Sequence, residues 1–191
     1  MTIKPYGVST DPNPNMSHNV QEMYKNSTAA EIRADLEKTR SKAVQVIINT
    51  ENDFNVATTI RSHNALNAKE LYIVGRRKYV RRGTVGTHHY TTIFSADTVD
   101  EVFDKLHAEG YTIYAVDNIM EYNPKNIWDV EFPAKSVFVY GTENQGLSEE
   151  VIKKCDDMVY VSMYGSVRSF NMATCSSIVL SEYSRQHRFS R

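Results

Sequence analysis

With 191 residues, a formal net charge of −1, 41% hydrophobic and 24% charged residues, the chain has the make-up of one ordinary globular domain. That balance excludes a wholly disordered chain, a collagen-like repeat and a coiled-coil rod, and no apolar run is long enough to span a bilayer. Two cysteines, Cys155 and Cys175, are too few for a disulfide framework, and the N-terminus lacks the apolar stretch of a secretory signal, so a cytoplasmic protein with reduced thiols is expected.

Taken in order, the first 26 or so residues hold three of the five prolines (Pro5, Pro12, Pro14) and read as an arm, loose or docked on a neighbour. Ser27 or Thr28 is the candidate cap of a peripheral helix running to about residue 40. From residue 44 onward strands alternate with helices. Val44-Gln45-Val46-Ile47-Ile48 reads as a buried strand, 55–66 as a helix, and 70–75 as the second strand. A short strand at 89–94 follows, then a helix capped by Asp97 and ended by Gly110. Strands at 111–117, 136–140 and 158–163 and helices at 148–155 and 170–186 complete the pattern. Such alternation predicts an α/β fold, a mainly parallel sheet flanked by helices, with 1–43 as a short N-terminal extension and 44–191 as the main domain.

The near-zero net charge hides an uneven distribution. Between residues 61 and 90 stand seven basic residues (Arg61, Lys69, Arg76, Arg77, Lys78, Arg81, Arg82) against one acid, Glu70. A local basic block on a neutral protein points to a polyanion site. Tyr79, interleaved among the cations, adds a ring suited to stacking on an exposed base. Arg168, and Arg185 and Arg188 near the end, are candidates to extend that surface. A solvated loop is the competing reading of the block.

In an open parallel sheet, ligands bind beyond the carboxyl ends of the strands. Asn49, Asn52 and Asn55 follow the first strand, and two glycine-containing polar loops follow the fifth and the last. The 141–146 stretch has the spacing of a phosphate loop, but Leu147 stands where Lys is needed, so a Walker site is excluded. No Gly-x-Gly-x-x-Gly follows the first strand, which removes support for a Rossmann site. His88-His89 lacks companions at ligand spacing, and no metal site is expected.

Three segments, in order, carry more. They are Asn55-Val56-Ala57-Thr58-Thr59-Ile60-Arg61, then Tyr140-Gly141-Thr142-Glu143-Asn144-Gln145-Gly146-Leu147-Ser148, then Val161-Ser162-Met163-Tyr164-Gly165-Ser166-Val167-Arg168-Ser169-Phe170-Asn171. Together they resemble the three motifs of the SpoU (TrmH-like) RNA ribose 2′-O-methyltransferases of the SPOUT superfamily, over roughly residues 44–187. Departures from the family pattern are Asp53 in place of a proline, Val161-Ser162-Met163 in place of Ile-Pro-Met, and Phe170 in place of leucine. None removes a group assigned to chemistry.

The resemblance implies a C-terminal trefoil knot within about 137–183 and S-adenosylmethionine as cofactor. It implies methyl transfer to a ribose 2′-hydroxyl of RNA, tRNA in preference to ribosomal RNA, by a homodimer without membrane attachment. Cofactor contacts are implied at Val116, Gly141, Gly146, Val161, Met163 and Phe170. Catalytic or positioning roles fall on Asn55, Arg61, Glu143, Ser169 and Asn171. RNA contacts fall on Arg76, Arg77, Lys78, Arg81, Arg82 and Arg168. In the family the arginine matched by Arg61 is proposed as the base, yet a guanidinium stays protonated in proteins, so phosphate and hydroxyl positioning suits Arg61 better. The alternatives are the same reaction on ribosomal RNA and a non-catalytic RNA-binding module.

Overall fold

A computed structural model describes residues 3–6, 19–49 and 54–188. The masked stretches include Pro12, Pro14, Asn52 and Asp53, so the expectations placed on those residues lie outside the described ones.

Among the described residues, eight strands form one sheet: β1 (Lys4–Pro5), β2 (Val44–Asn49), β3 (Glu70–Gly75), β4 (Ile93–Ala96), β5 (Thr112–Val116), β6 (Lys125–Asn126), β7 (Ser136–Tyr140) and β8 (Asp157–Tyr160). Their order across the sheet is β1-β4-β3-β2-β7-β5-β8-β6. Every pairing is parallel except β1 with β4, so seven strands point their carboxyl ends to the same edge. The helices are α1 (Ala29–Glu37), α2 (Phe54–Ala65), α3 (Val99–Ala108), α4 (Glu149–Ile152) and α5 (Met172–Arg188).

Side chains alternate across each strand, and both faces are covered. Val44 and Val46 of β2, Val137 and Val139 of β7, and Ile113 and Ala115 of β5 pack with Val102, Phe103 and Leu106 of α3 and Val151 and Ile152 of α4. The alternate residues Phe138 and Tyr140 of β7 and Tyr114 and Val116 of β5 pack with Val179, Leu180 and Tyr183 of α5. Beside them, Ile47, Leu71 and Ile73 pack with Val56, Ala57 and Ile60 of α2. Helices α2 and α5 therefore lie together on one face, with α3 and α4 on the other.

A buried polar seam runs through the α2–α5 face. Buried His63 shares a 2.9 Å hydrogen bond between its Nδ1 and Gln45 Oε1, and Gln45 Nε2 donates to the Tyr140 hydroxyl at 3.3 Å. Thr59 and Ser176 meet through their hydroxyls at 3.3 Å. Burial, then the nearby Arg40 charge, pushes His63 down to about 3, so the ring is neutral.

Several expectations shift by one to four residues. Thr28, not Ser27, caps α1, in a reciprocal capping box with Glu31. Thr98, not Asp97, caps α3, and Gly110 at φ +79° follows its end. The strand expected at 89–94 sits at Ile93–Ala96, because the threonines before it bond to local carbonyls instead. Thr84 Oγ1 donates to Arg81 O, Thr87 Oγ1 to Thr84 O and Thr91 Oγ1 to Thr87 O, holding short 3-10 turns. The described part of the arm docks on its own chain: β1 pairs with β4, and the Tyr6 amide donates to Ile93 O at 2.8 Å. Val20 and Tyr24 pack with Ile32 of α1 and Tyr90. No described helix is long and apolar enough to cross a membrane.

Candidate active site

Three loops leave the carboxyl ends of β5, β7 and β8 and enclose a cavity of about 440 Å³. That is the size range of small-molecule sites, and it stands at the sheet edge where ligands are expected. From β5 come Val116, Asp117, Asn118 and Ile119; from the 140–146 loop come Tyr140, Gly141 and the residues to Gly146; from the 160–170 loop come Val161, Met163, Arg168, Ser169 and Phe170. Met172 and Cys175 close it from α5. All six expected cofactor contacts, Val116, Gly141, Gly146, Val161, Met163 and Phe170, line this space.

Local backbone geometry explains the two glycines. A Cβ on Gly141 would stand 2.1 Å from Gly146 C and 2.4 Å from Leu147 N, so the loop closes on itself only without a side chain there. Gly146 has φ +66° and exchanges two backbone hydrogen bonds with Thr142. Asp117 locks the closed loop to β5: its Oδ2 accepts from the Leu147 amide at 3.1 Å and its Oδ1 from the Asn118 amide at 2.8 Å.

Asn55, Glu143 and Asn171 join the three motif segments at one point. Glu143 Oε1 accepts from Asn55 Nδ2 (2.7 Å), Asn171 Nδ2 (2.8 Å) and the Met172 amide (2.9 Å). Asn171 Nδ2 also donates to Asn55 Oδ1 at 2.9 Å, while Asn171 Oδ1 accepts from the Ala173 and Thr174 amides and so caps α5. Ser169 is exposed on the cavity wall. Arg61 is not part of this assembly. Six positions on from Asn55, it lies about 9 Å farther along α2 and turned roughly 120° around the axis. It is exposed, does not line the cavity, and makes no ion pair among the described residues.

The basic block follows β3, two strands from β7 and on the same edge as the cavity. Asn49, at the end of β2, holds it by the backbone: its Nδ2 donates to Arg76 O at 2.6 Å and Lys78 O at 3.2 Å. Arg76, Lys78, Arg81 and Arg82 are exposed, whereas Arg77 pairs with Asp97 at 2.6 Å. Tyr79 corrects the expectation of a free ring. It is 7% exposed, packs among Ile47, Ile73 and Ile93, and meets Tyr6 at 5.7 Å, so it anchors the block and is closed to a base. Burial pushes its hydroxyl up to about 12.

Two further points stand apart from the expectations. Asp117 and Asn118 line the cavity, and their signal was positional, because both directly follow a strand at the edge where ligands bind. Cys175 also lines the cavity, but burial, then the Asp117 charge, pushes its thiol up to about 12, which leaves it a poor nucleophile. His88 is buried and bonds to Thr84 through Nδ1 at 2.6 Å, and no group of metal-ligating side chains occurs among the described residues.

Comparison with known proteins agrees with this architecture. The tRNA (guanosine(18)-2′-O)-methyltransferase of Aquifex aeolicus is 26% identical over 159 residues, covering 81% of this chain and 74% of that protein. The enzyme of the same name from Thermus thermophilus is 23% identical over 141 residues, 72% of each chain. Among solved structures, the A. aeolicus TrmH/SpoU tRNA modifying enzyme superposes with a TM-score of 0.74 at 25% identity, covering 84% of this chain and 83% of that one. The SpoU methyltransferase AviRb from Streptomyces viridochromogenes, solved with AdoMet, shares the fold at a TM-score of 0.68 and 24% identity, over 80% of this chain and 60% of that one. With residues 42–181 also matching its sequence profile, the chain belongs to the SpoU rRNA Methylase family.

Proposed function

We propose that the protein transfers a methyl group from S-adenosylmethionine to a ribose 2′-hydroxyl of RNA, with tRNA the favoured substrate. The observation that carries this is the cavity at the carboxyl edge of the sheet, its Glu143 wall fixed by the Asn55–Glu143–Asn171 junction and flanked by a backbone-anchored cationic loop. The residues fit the cofactor. Val116, Val161, Met163 and Phe170 offer apolar walls to a purine, and Asp117 and Glu143 offer carboxylates to a cation. The cofactor would supply an electrophilic methyl group on a positively charged sulfur.

The chain's own residues bind and orient. Glu143 joins the motif segments through one oxygen, so it fixes the cavity wall and is poorly placed to bind Arg61. Ser169, exposed on the wall, is the hydroxyl available to orient an entering ribose. Arg76, Lys78, Arg81, Arg82 and Arg168 would hold RNA phosphates, a salt-sensitive attraction. Arg61 positions phosphate and acceptor hydroxyl, and its distance from its own cavity favours a homodimer in which it serves the partner's. Residues 44–191 then make up the methyltransferase domain, knotted within about 137–183, with 1–43 an extension. Cytoplasmic residence follows from the tRNA reading.

Preference for tRNA rests on the relatives named tRNA methyltransferases, whereas the family name favours ribosomal RNA as the second reading. Incubation with radiolabelled S-adenosylmethionine and, separately, unmodified tRNA and ribosomal RNA decides between them. Label in tRNA retained in an alkali-resistant dinucleotide is the expected result. Label confined to ribosomal RNA overturns the substrate, and RNA binding with no label in either overturns the enzyme in favour of a binding module.

A further inference from the structure

We propose that the Tyr164 ring is a stacking platform for the base of the nucleotide whose ribose is methylated; the inference rests on the RNA 2′-O-methyltransferase reading above. Tyr164 directly follows the cavity-lining Met163, and it is 94% exposed. Among the described residues it has no hydrogen bond and no ring contact. An aromatic ring left in water forgoes the burial that usually stabilises it, so such display is a feature to be explained.

The display does not come from slack chain. The loop is pinned on both sides of the ring: Ser162 Oγ accepts from Asn126 Nδ2, and the Arg168 carbonyl accepts from Asn118 Nδ2 at 2.6 Å. At Gly165 a Cβ would meet nothing within 4 Å, so the loop apex stands in open space. A held loop therefore presents an uncovered ring one residue beyond the cavity-lining Met163.

Substrate chemistry supplies the occupant. The 2′-hydroxyl that accepts the methyl must enter the cavity, and the base hangs from the adjacent ribose carbon. It therefore stays within a few ångströms of the rim. Single-stranded bases are held by aromatic faces, and stacking tolerates any base because each has a π-face. Arg168, on the same loop, has an exposed guanidinium without an ion pair among the described residues, in reach of a neighbouring phosphate. With Tyr79 buried, Tyr164 takes the stacking role that the sequence assigned to the basic block. A contact with another protein chain is the competing use of such a ring.

The test uses the full chain, S-adenosylmethionine and unmodified transcribed tRNA. Tyr164→Ala should raise the KM for tRNA about ten-fold or more. Cofactor affinity by calorimetry and the sedimentation coefficient should not move. Tyr164→Phe and Tyr164→Trp should restore the KM, because the ring and not the hydroxyl does the holding. An unchanged KM in Tyr164→Ala overturns the platform while leaving the methyltransferase intact. A changed sedimentation coefficient in Tyr164→Ala makes the ring a subunit contact and overturns it as well. Wild-type protein that binds cofactor but labels neither tRNA nor ribosomal RNA removes the underlying function, a failure visible before any variant is made.

Discussion

One carboxylate oxygen, Glu143 Oε1, receives three N–H groups from two other parts of the chain, Asn55 and the adjacent Asn171 and Met172, which makes Glu143 a joint between motif segments. Asp117 does similar work between β5 and the 141–147 loop. Both depend on the folded loop, so sequence supplied Glu143 only through a motif and left Asp117 unmarked. His63 carries a prediction of its own. Its folded-state pKa of about 3 lies below the ordinary 6.5, so between those values the unfolded chain binds a proton that the native protein refuses. Its contribution is complete above pH 6.5 and is lost on acidification, at about 1.4 kcal/mol per pH unit. Thermal denaturation from pH 7 to pH 5 should show a falling Tm, with a flatter slope in His63→Gln. Equal slopes would assign the acid sensitivity to other groups.

Among elements, the central strands were readable and the edges were not. Residues 70–75 and 136–140 match β3 and β7 to the residue, because β-branched and aromatic side chains buried on both faces leave a continuous apolar signature. The two-residue strands β1 and β6 left no pattern, since pairing along an edge needs only backbone. The basic loop was legible in composition, but the inward turn of Tyr79 was not, because it depends on Tyr6 and on the floor of isoleucines beneath it. Loop 141–147 gives the prediction at this scale. Gly141→Ala would drive a Cβ into backbone atoms that no rotamer change can move aside. Calorimetry should find S-adenosylmethionine binding lost, with the circular dichroism of the sheet retained. Affinity equal to wild type would mean that the loop is not a wall of the cofactor site.

At the scale of the whole molecule, Arg61 stands off the cavity of its own chain. A shared centre in a homodimer predicts complementation. Arg61→Ala should bind cofactor normally yet fail to methylate, and Glu143→Ala should fail because its cavity is unlatched. Mixed in equal amounts and allowed to exchange subunits, the two should recover about a quarter of wild-type activity, the share of sites that draw both intact parts from different chains. Silence in the mixture would place Arg61 and the cavity it serves in the same chain. The molecule also keeps its cationic loop in an instructive way. Asn49 grips the carbonyls of Arg76 and Lys78 and leaves their side chains unused. A grip on main chain is indifferent to which side chains ride on it. The charges at these positions can therefore be exchanged, over evolutionary time or by design, to suit a different RNA contour without renegotiating the fold. The fastening is fixed, and the recognition surface is the replaceable part.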